Sequence, residues 1–233
     1  MVESRLQPRV NQPVPDGSVE LLGRVIHRVR NLMMSVRGYA ELIALSSDGD
    51  DNHRRWAGRI VDQVDHLEAL QSRVDGALRE SPELGSHSMA VIARAAIERS
   101  ERRSTSSAKK VAVLLQVHED LAVEVDGEDL AEALAALVDN AREAAAESPD
   151  PVEVQVTLER DPAEGWRLRV IDRGPGCGAE DQSRLGEPFF TRKSGHLGLG
   201  LFLSRSLLDR HGMQLDFEPA SGGGTVATIR ERR

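Results

Sequence analysis

The spacing of apolar residues changes once along this chain, near residue 81, and that change limits the possible folds more than any other feature. From Val19 to about Leu45, the residues Leu22, Val25, Ile26, Val29, Met33, Val36, Ala40 and Ile43 recur three and four apart. That interval lines one face of a helix. From His53 to about Glu80 the stripe is Trp56, Ile60, Val64, Leu67, Val74 and Leu78. Ile60, Leu67 and Val74 stand seven residues apart, close to a coiled-coil seam. The bend-rich "SSDGDDN" at 46–52 separates the two stripes. Two long helices on a short turn form an antiparallel hairpin, and a hairpin cannot cover both stripes alone. A second copy would complete a four-helix bundle.

"SPELGS" at 81–86 ends this pattern. A helix is expected over about 88–102, then "KKVAVLLQV" and "LAVEVD" as a pair of strands. A strong helix follows over 127–147. "VEVQVTLER" and "WRLRVID" alternate with strand periodicity across "DPAEG". The last strands are expected at about 213–218 and 224–230. The fold class is therefore α+β: an N-terminal hairpin, then a mixed sheet with helices on one face. Residues 1–17 hold three prolines and no periodicity, the pattern of a tail or linker. The expected domains are 18–81 for the hairpin and 87–233 for the sheet.

Composition removes several function classes. With 29% charged residues and a net charge of −8, the chain is a poor non-specific ligand for nucleic acid or anionic membrane. No apolar run approaches the roughly 20 residues of a membrane span, and the polar start is unlike a signal peptide. The lone Cys177 excludes an internal disulfide framework and fits a reducing cytoplasm. No further segment is legible beyond the tail and these two regions, so either the chain is a fragment or it acts with a separate protein or through its short tail.

Four clusters in the second region carry chemistry. Asn140, in "LVDNAREAA", offers a hard neutral oxygen suited to Mg²⁺ held mostly by phosphates; the alternative is a solvated helix Asn. Asp172, in "VIDRGPGCG", ends a strand and can accept a hydrogen bond from an exocyclic amine such as adenine's. Gly174 and Gly176 let backbone approach a flat ring, although Asp-x-Gly also marks ordinary turns. In "EPFFTRK", Lys193 and Arg192 can reach phosphate oxygens with Thr191 as a further donor, and Phe189 and Phe190 can anchor the loop; the alternative is a surface turn with two core aromatics. In "HLGLGLFLSRSLL", Gly198 and Gly200 precede or open a helix whose free amides and dipole can hold an anion.

Taken in this order, residues 88–230 resemble the ATP-binding domain of sensor histidine kinases, the GHKL or Bergerat nucleotide fold shared with gyrase, the Hsp90 chaperone and MutL. "DN" at 139–140 is similar to the family's N box and "DRGPG" at 172–176 to its first glycine box. "EPFFTRK" at 187–193 resembles the F box, "GLGL" at 198–201 the second glycine box, and "GGGT" at 222–225 the closing strand turn. The resemblance implies ATP and Mg²⁺ as cofactors. It implies a nucleotide site of Asn140, Asp172, Gly174, Gly176, Thr191, Arg192, Lys193, Gly198, Gly200 and Leu201, with a very short lid. "VIHRVRNLMMSVRGYAELI" then resembles the dimerisation and phosphoacceptor helix. His27 would be the acceptor, and Asn31, one turn on, would orient water for dephosphorylating a partner. His53 and His66 are the alternative histidines. The implied partners are a second copy of the chain and a response-regulator receiver domain.

Some residues depart from the family pattern. Arg28 follows His27 where an acidic general base is usual, and "HRVRN" resembles the acceptor box of HWE-type kinases. Leu32 replaces a common proline, and Ala136 replaces a second Asn or a catalytic Glu. Arg28 and Ala136 keep open a rival reading: a histidine phosphotransferase or regulator phosphatase with a weak or silent kinase domain. An anti-sigma serine kinase would share the ATP fold but would not need the hairpin.

Overall fold

In the computed structural model the described residues are Arg79, 81–103, 111–148, 153–161, 165–193 and 198–232, with individual positions between 36 and 76. Seven strands are bounded among them: β1 Gly85–Ser88, β2 Val113–Val117, β3 Ala122–Val125, β4 Val154–Asp161, β5 Gly165–Ile171, β6 Met213–Pro219 and β7 Thr225–Glu231. The helices with bounds are α1 Met89–Arg103, α2 Gly127–Ala146, the single turn α3 Ala179–Gln182 and α4 Gly200–Arg210. One sheet has the order β2-β4-β5-β7-β6; β1 and β3 form a separate pair. β2 runs parallel to β4, and every other neighbour is antiparallel.

Strand alternation sorts the five-stranded sheet into two faces. Val154, Val156, Leu158, Leu168, Val170, Leu215 and Ile229 are buried beneath α1, α2 and α4. The opposite face carries ionic pairs instead: Glu159 bonds Arg167 and Arg169, and Asp216 bonds Arg230. With so few aromatics in the chain, the helices fit the sheet through small residues. Ala93 and Ala96 of α1 and Ala131, Ala133 and Ala135 of α2 are all buried. Alanine is the strongest helix former and keeps the backbones close. Between α1 and α2, burial alone would depress the Arg103 guanidinium, but Glu132 and Asp139 outweigh it and raise its pKa.

The expectation that "KKVAVLLQV" and "LAVEVD" pair with one another is corrected. β2 pairs with β4, and β3 pairs with β1. Asp120, between them, accepts hydrogen bonds from the Ala90 amide at the start of α1 and from the Ser88 hydroxyl. Met89 N–H donates to Leu121. The segment is thereby turned away from β2 and onto the start of α1.

Asp126 anchors the start of α2. Its side chain accepts from the Glu128 and Asp129 amides, as an N-cap does. The same carboxylate meets the Arg79 guanidinium at 2.7 Å and the Glu83 amide at 3.0 Å. Burial raises its pKa; those donors outweigh the burial and lower it overall.

The positions described between 36 and 76 are helical. Arg37 pairs with Asp65 and Glu68, so the two stretches lie side by side there. Ala40, Ala57, Val64 and Val74 are buried, whereas Val36 and Ile43 are 38% and 45% exposed. Gly76 lies close to Asp129 and Leu207, and Arg210 donates to the Gly76 and Arg79 carbonyls. No helix among the described residues is long and apolar enough to cross a membrane.

Candidate functional site

Asp172 follows β5 and is 6% exposed. Its Oδ1 accepts from the Gly174 amide at 2.9 Å and from the Thr225 amide at 3.3 Å. Both bonds end on one oxygen, so Oδ2 is left to accept from a ligand. Burial pushes this carboxyl above the ordinary carboxylate range; the two amides and the Lys193 charge offset part of the rise. Buried, oriented and short of a donor, it fits an amine edge better than it fits water.

The floor beside Asp172 is backbone stacked on backbone. A Cβ on Gly174 would lie 2.6 Å from the Ala144 carbonyl oxygen of α2. A Cβ on Gly224 would lie 2.1 Å from the Asp172 carbonyl, and its φ is +95°. Neither position admits a side chain. Gly176 touches the same Gly224 carbonyl. Cys177 fills the adjoining space; burial raises its thiol pKa, with the Thr225 side chain opposing the rise.

α2 lies to one side, with the described residues 187–193 and 198–199 beside it. Asn140 is half-buried on α2. One turn on, Glu143 forms an ion pair with Lys193. The Lys193 amide donates to Thr191 Oγ1 at 3.1 Å, which folds the "TRK" turn on itself. Arg192 instead pairs with Asp181, 2.9 Å away, and keeps a 76% exposed side chain. Gly198 packs on the Phe189 and Phe190 backbone, so the second glycine turn sits directly on the F-box peptide. Leu199 occupies the N-cap of α4 and supplies no side-chain hydrogen bond. The first amides of α4, which begins at Gly200, therefore remain donors for an anion. Leu201 packs against the core and fixes that end.

The expectation that both phenylalanines anchor the loop is corrected. Phe190 is half-buried with the Arg184 guanidinium 4.2 Å over its ring, but Phe189 is 66% exposed at a φ of 65°. The turn that admits Gly198 forces Phe189 into left-handed backbone and its ring outward. His27 and Asn31 lie outside the described residues. Sequence reading missed Glu143, although its spacing of three from Asn140 places both on one helix face. It also missed Asp181, for which the sequence carries no signal.

A mixed sheet packed under three helices, with a buried carboxylate on a glycine floor and a helix start without a side-chain cap, is the arrangement of a nucleotide-binding domain. Residues 125–232 match the histidine kinase-, DNA gyrase B- and HSP90-like ATPase family. The sensor protein kinase PilS of Pseudomonas aeruginosa is 27% identical over 95% of this chain and 42% of its own length. The sensory histidine kinase/phosphatase NtrB of Vibrio alginolyticus is 25% identical over 96% of this chain and 65% of its own. Full-length ShkA, solved in complex with AMPPNP, shares the fold at a TM-score of 0.64 and 21% identity, over 94% of this chain and 46% of that one. Residues 125–232 thus form a catalytic domain of the kinase, gyrase and HSP90 type, and over most of its length the chain is similar to sensor histidine kinases. It spans less than two thirds of the length of either curated relative.

Proposed function

We propose that this chain is an ATP-dependent protein histidine kinase of two-component signal transduction. The observation that carries this reading is the buried Asp172 carboxylate, whose Oδ1 takes the Gly174 and Thr225 amides and leaves Oδ2 to a ligand beside the glycine floor. In this reading Asp172 takes the exocyclic amine of adenine. Gly174 and Gly176 give room for the ring. Lys193, Thr191 and the amides at Gly198, Gly200 and Leu201 receive the phosphates, and Arg192 screens them from the rim. Asn140, a hard neutral oxygen ligand half-buried on α2, fits a Mg²⁺ ion held mainly by phosphates. That ion would supply charge neutralisation on the phosphate oxygens.

A neutral ring nitrogen of His27 is the nucleophile. Its bond to the γ-phosphorus forms as the bond to the bridging oxygen breaks, and ADP leaves with the electron pair. The remaining imidazole proton passes to a base other than Arg28, which has no acceptor. The phosphoryl group then moves to an aspartate of a receiver domain, and Asn31 orients water when the partner is dephosphorylated. The exposed stripe residues Val36 and Ile43 support a homodimer through the hairpin. The lone Cys177 fits a reducing cytoplasm, and a separate sensor protein is a further candidate partner.

Incubation with Mg-ATP labelled on the γ-phosphate tests this reading. The parent should gain an acid-labile, alkali-stable label that passes to an added receiver. His27→Ala and Asn140→Ala should remain at background. Label persisting in His27→Ala would remove the acceptor assignment, and an unlabelled parent would remove the kinase reading.

A further inference from the structure

Lys193 is the lysine of the lid segment, and it already has an anionic partner inside the protein. Glu143 stands on α2 three residues beyond Asn140, and its carboxylate pairs with the Lys193 ammonium across fifty positions of sequence. The two side chains are 30% and 31% exposed, so the pair borders the site rather than the core. The same ammonium is near enough to Asp172 to pull its carboxyl pKa down. One cation thus serves Glu143 by contact and Asp172 through its field.

A nucleotide brings several negative charges to this place. Lys193 can neutralise them only by leaving Glu143 or by sharing its protons with it. In either case the Glu143 charge repels the phosphates at short range. A half-exposed pair of this kind is weakly held and exchanges readily.

We propose that Glu143 is an internal competitor for Lys193: a positioning residue that docks the lid lysine on α2 and lowers the affinity of the site for nucleotide phosphates. This rests on the nucleotide reading above. The competition acts on the phosphates and not on the base, so it separates phosphate affinity from adenine recognition and speeds release of the product nucleotide.

The test is calorimetric titration of the chain with AMPPNP and Mg²⁺, and separately with adenosine. It compares the parent with Glu143→Gln, Lys193→Ala and the double variant, each checked by its melting temperature. Glu143→Gln should bind AMPPNP about 3- to 10-fold tighter, as expected for one part-screened charge, and adenosine as the parent does. Lys193→Ala should weaken AMPPNP alone, and in its background the Glu143→Gln gain should fall by at least half. A folded Glu143→Gln that binds AMPPNP no tighter than a parent able to bind both probes would overturn the competitor. A gain of equal size for adenosine would also overturn it, because the effect would then be structural. A parent that binds neither probe would overturn the nucleotide reading and the competitor with it.

Discussion

Gly224→Ala is expected to lower the melting temperature of this chain by about 4–20 °C, a large effect for a single methyl group. Two costs act together. At φ +95° an L side chain is strained, by about 1–2 kcal/mol. The new Cβ would also stand 2.1 Å from the Asp172 carbonyl oxygen and 2.8 Å from the Arg173 Cα. Both obstacles are backbone, which cannot rotate away, and forced overpacking costs about 1–3 kcal/mol more. At about 2–4 °C per kcal/mol for a chain of this size, the sum gives the stated range. The Thr225 amide bond to Asp172 would move as well, so nucleotide binding should fail in whatever fraction stays folded. A parent-like melting curve would show that β7 and the Asp172 turn do not pack as described.

Asp172→Asn should separate stability from binding. The side chains are nearly isosteric, and Asn keeps an oxygen for the Gly174 and Thr225 amides. Its other atom becomes an N–H₂, which faces the amine of adenine donor to donor. Losing a charged acceptor and gaining that clash should weaken AMPPNP binding about 10- to 100-fold. Stability should move the other way. Burial raises the Asp172 carboxyl above its unfolded value. A group of that kind contributes stability at low pH and loses it as pH rises through the folded value, so at neutral pH the buried carboxylate costs stability. The variant should therefore melt at or above the parent near pH 7. The difference should shrink as pH falls through the raised folded value, where the parent's own carboxyl takes up its proton. An Asn variant that binds AMPPNP like the parent, or that melts well below it at pH 7, would remove Asp172 from the role given to it.

The most legible parts of the sequence were those where one period dominates. The alanine-rich 127–147 segment forms α2 at Gly127–Ala146, and the two alternating runs form the β4–β5 hairpin. In each case local preference and burial agree. Where long-range contacts decide, the sequence was mute. β2 and β3 resemble a hairpin because few residues join them. The partners that separate them, Val154–Leu158 for one and Gly85–Ser88 for the other, are distant or unpatterned. β1, "GSHS", has no apolar alternation at all and is held by its register with β3. At the site, Asp172 and the glycines were legible because close backbone approach leaves few choices of residue. Glu143 was not, because a carboxylate is the wrong sign for a phosphate site; only its contact with Lys193 gives it a meaning. The position of Phe189 was also hidden, since the Gly198 turn beneath it is a tertiary contact.

In the proposed site, a carboxylate buried beneath the glycine turns reads the amine of adenine. This recognition is tested most directly by titrating the parent chain with ATP and with inosine triphosphate, which differ at that edge of the base by an amine against a carbonyl. ATP is expected to bind, and inosine triphosphate about 100-fold more weakly, because its carbonyl oxygen would face Asp172 Oδ2 acceptor to acceptor. Equal affinity for the two nucleotides would contradict it.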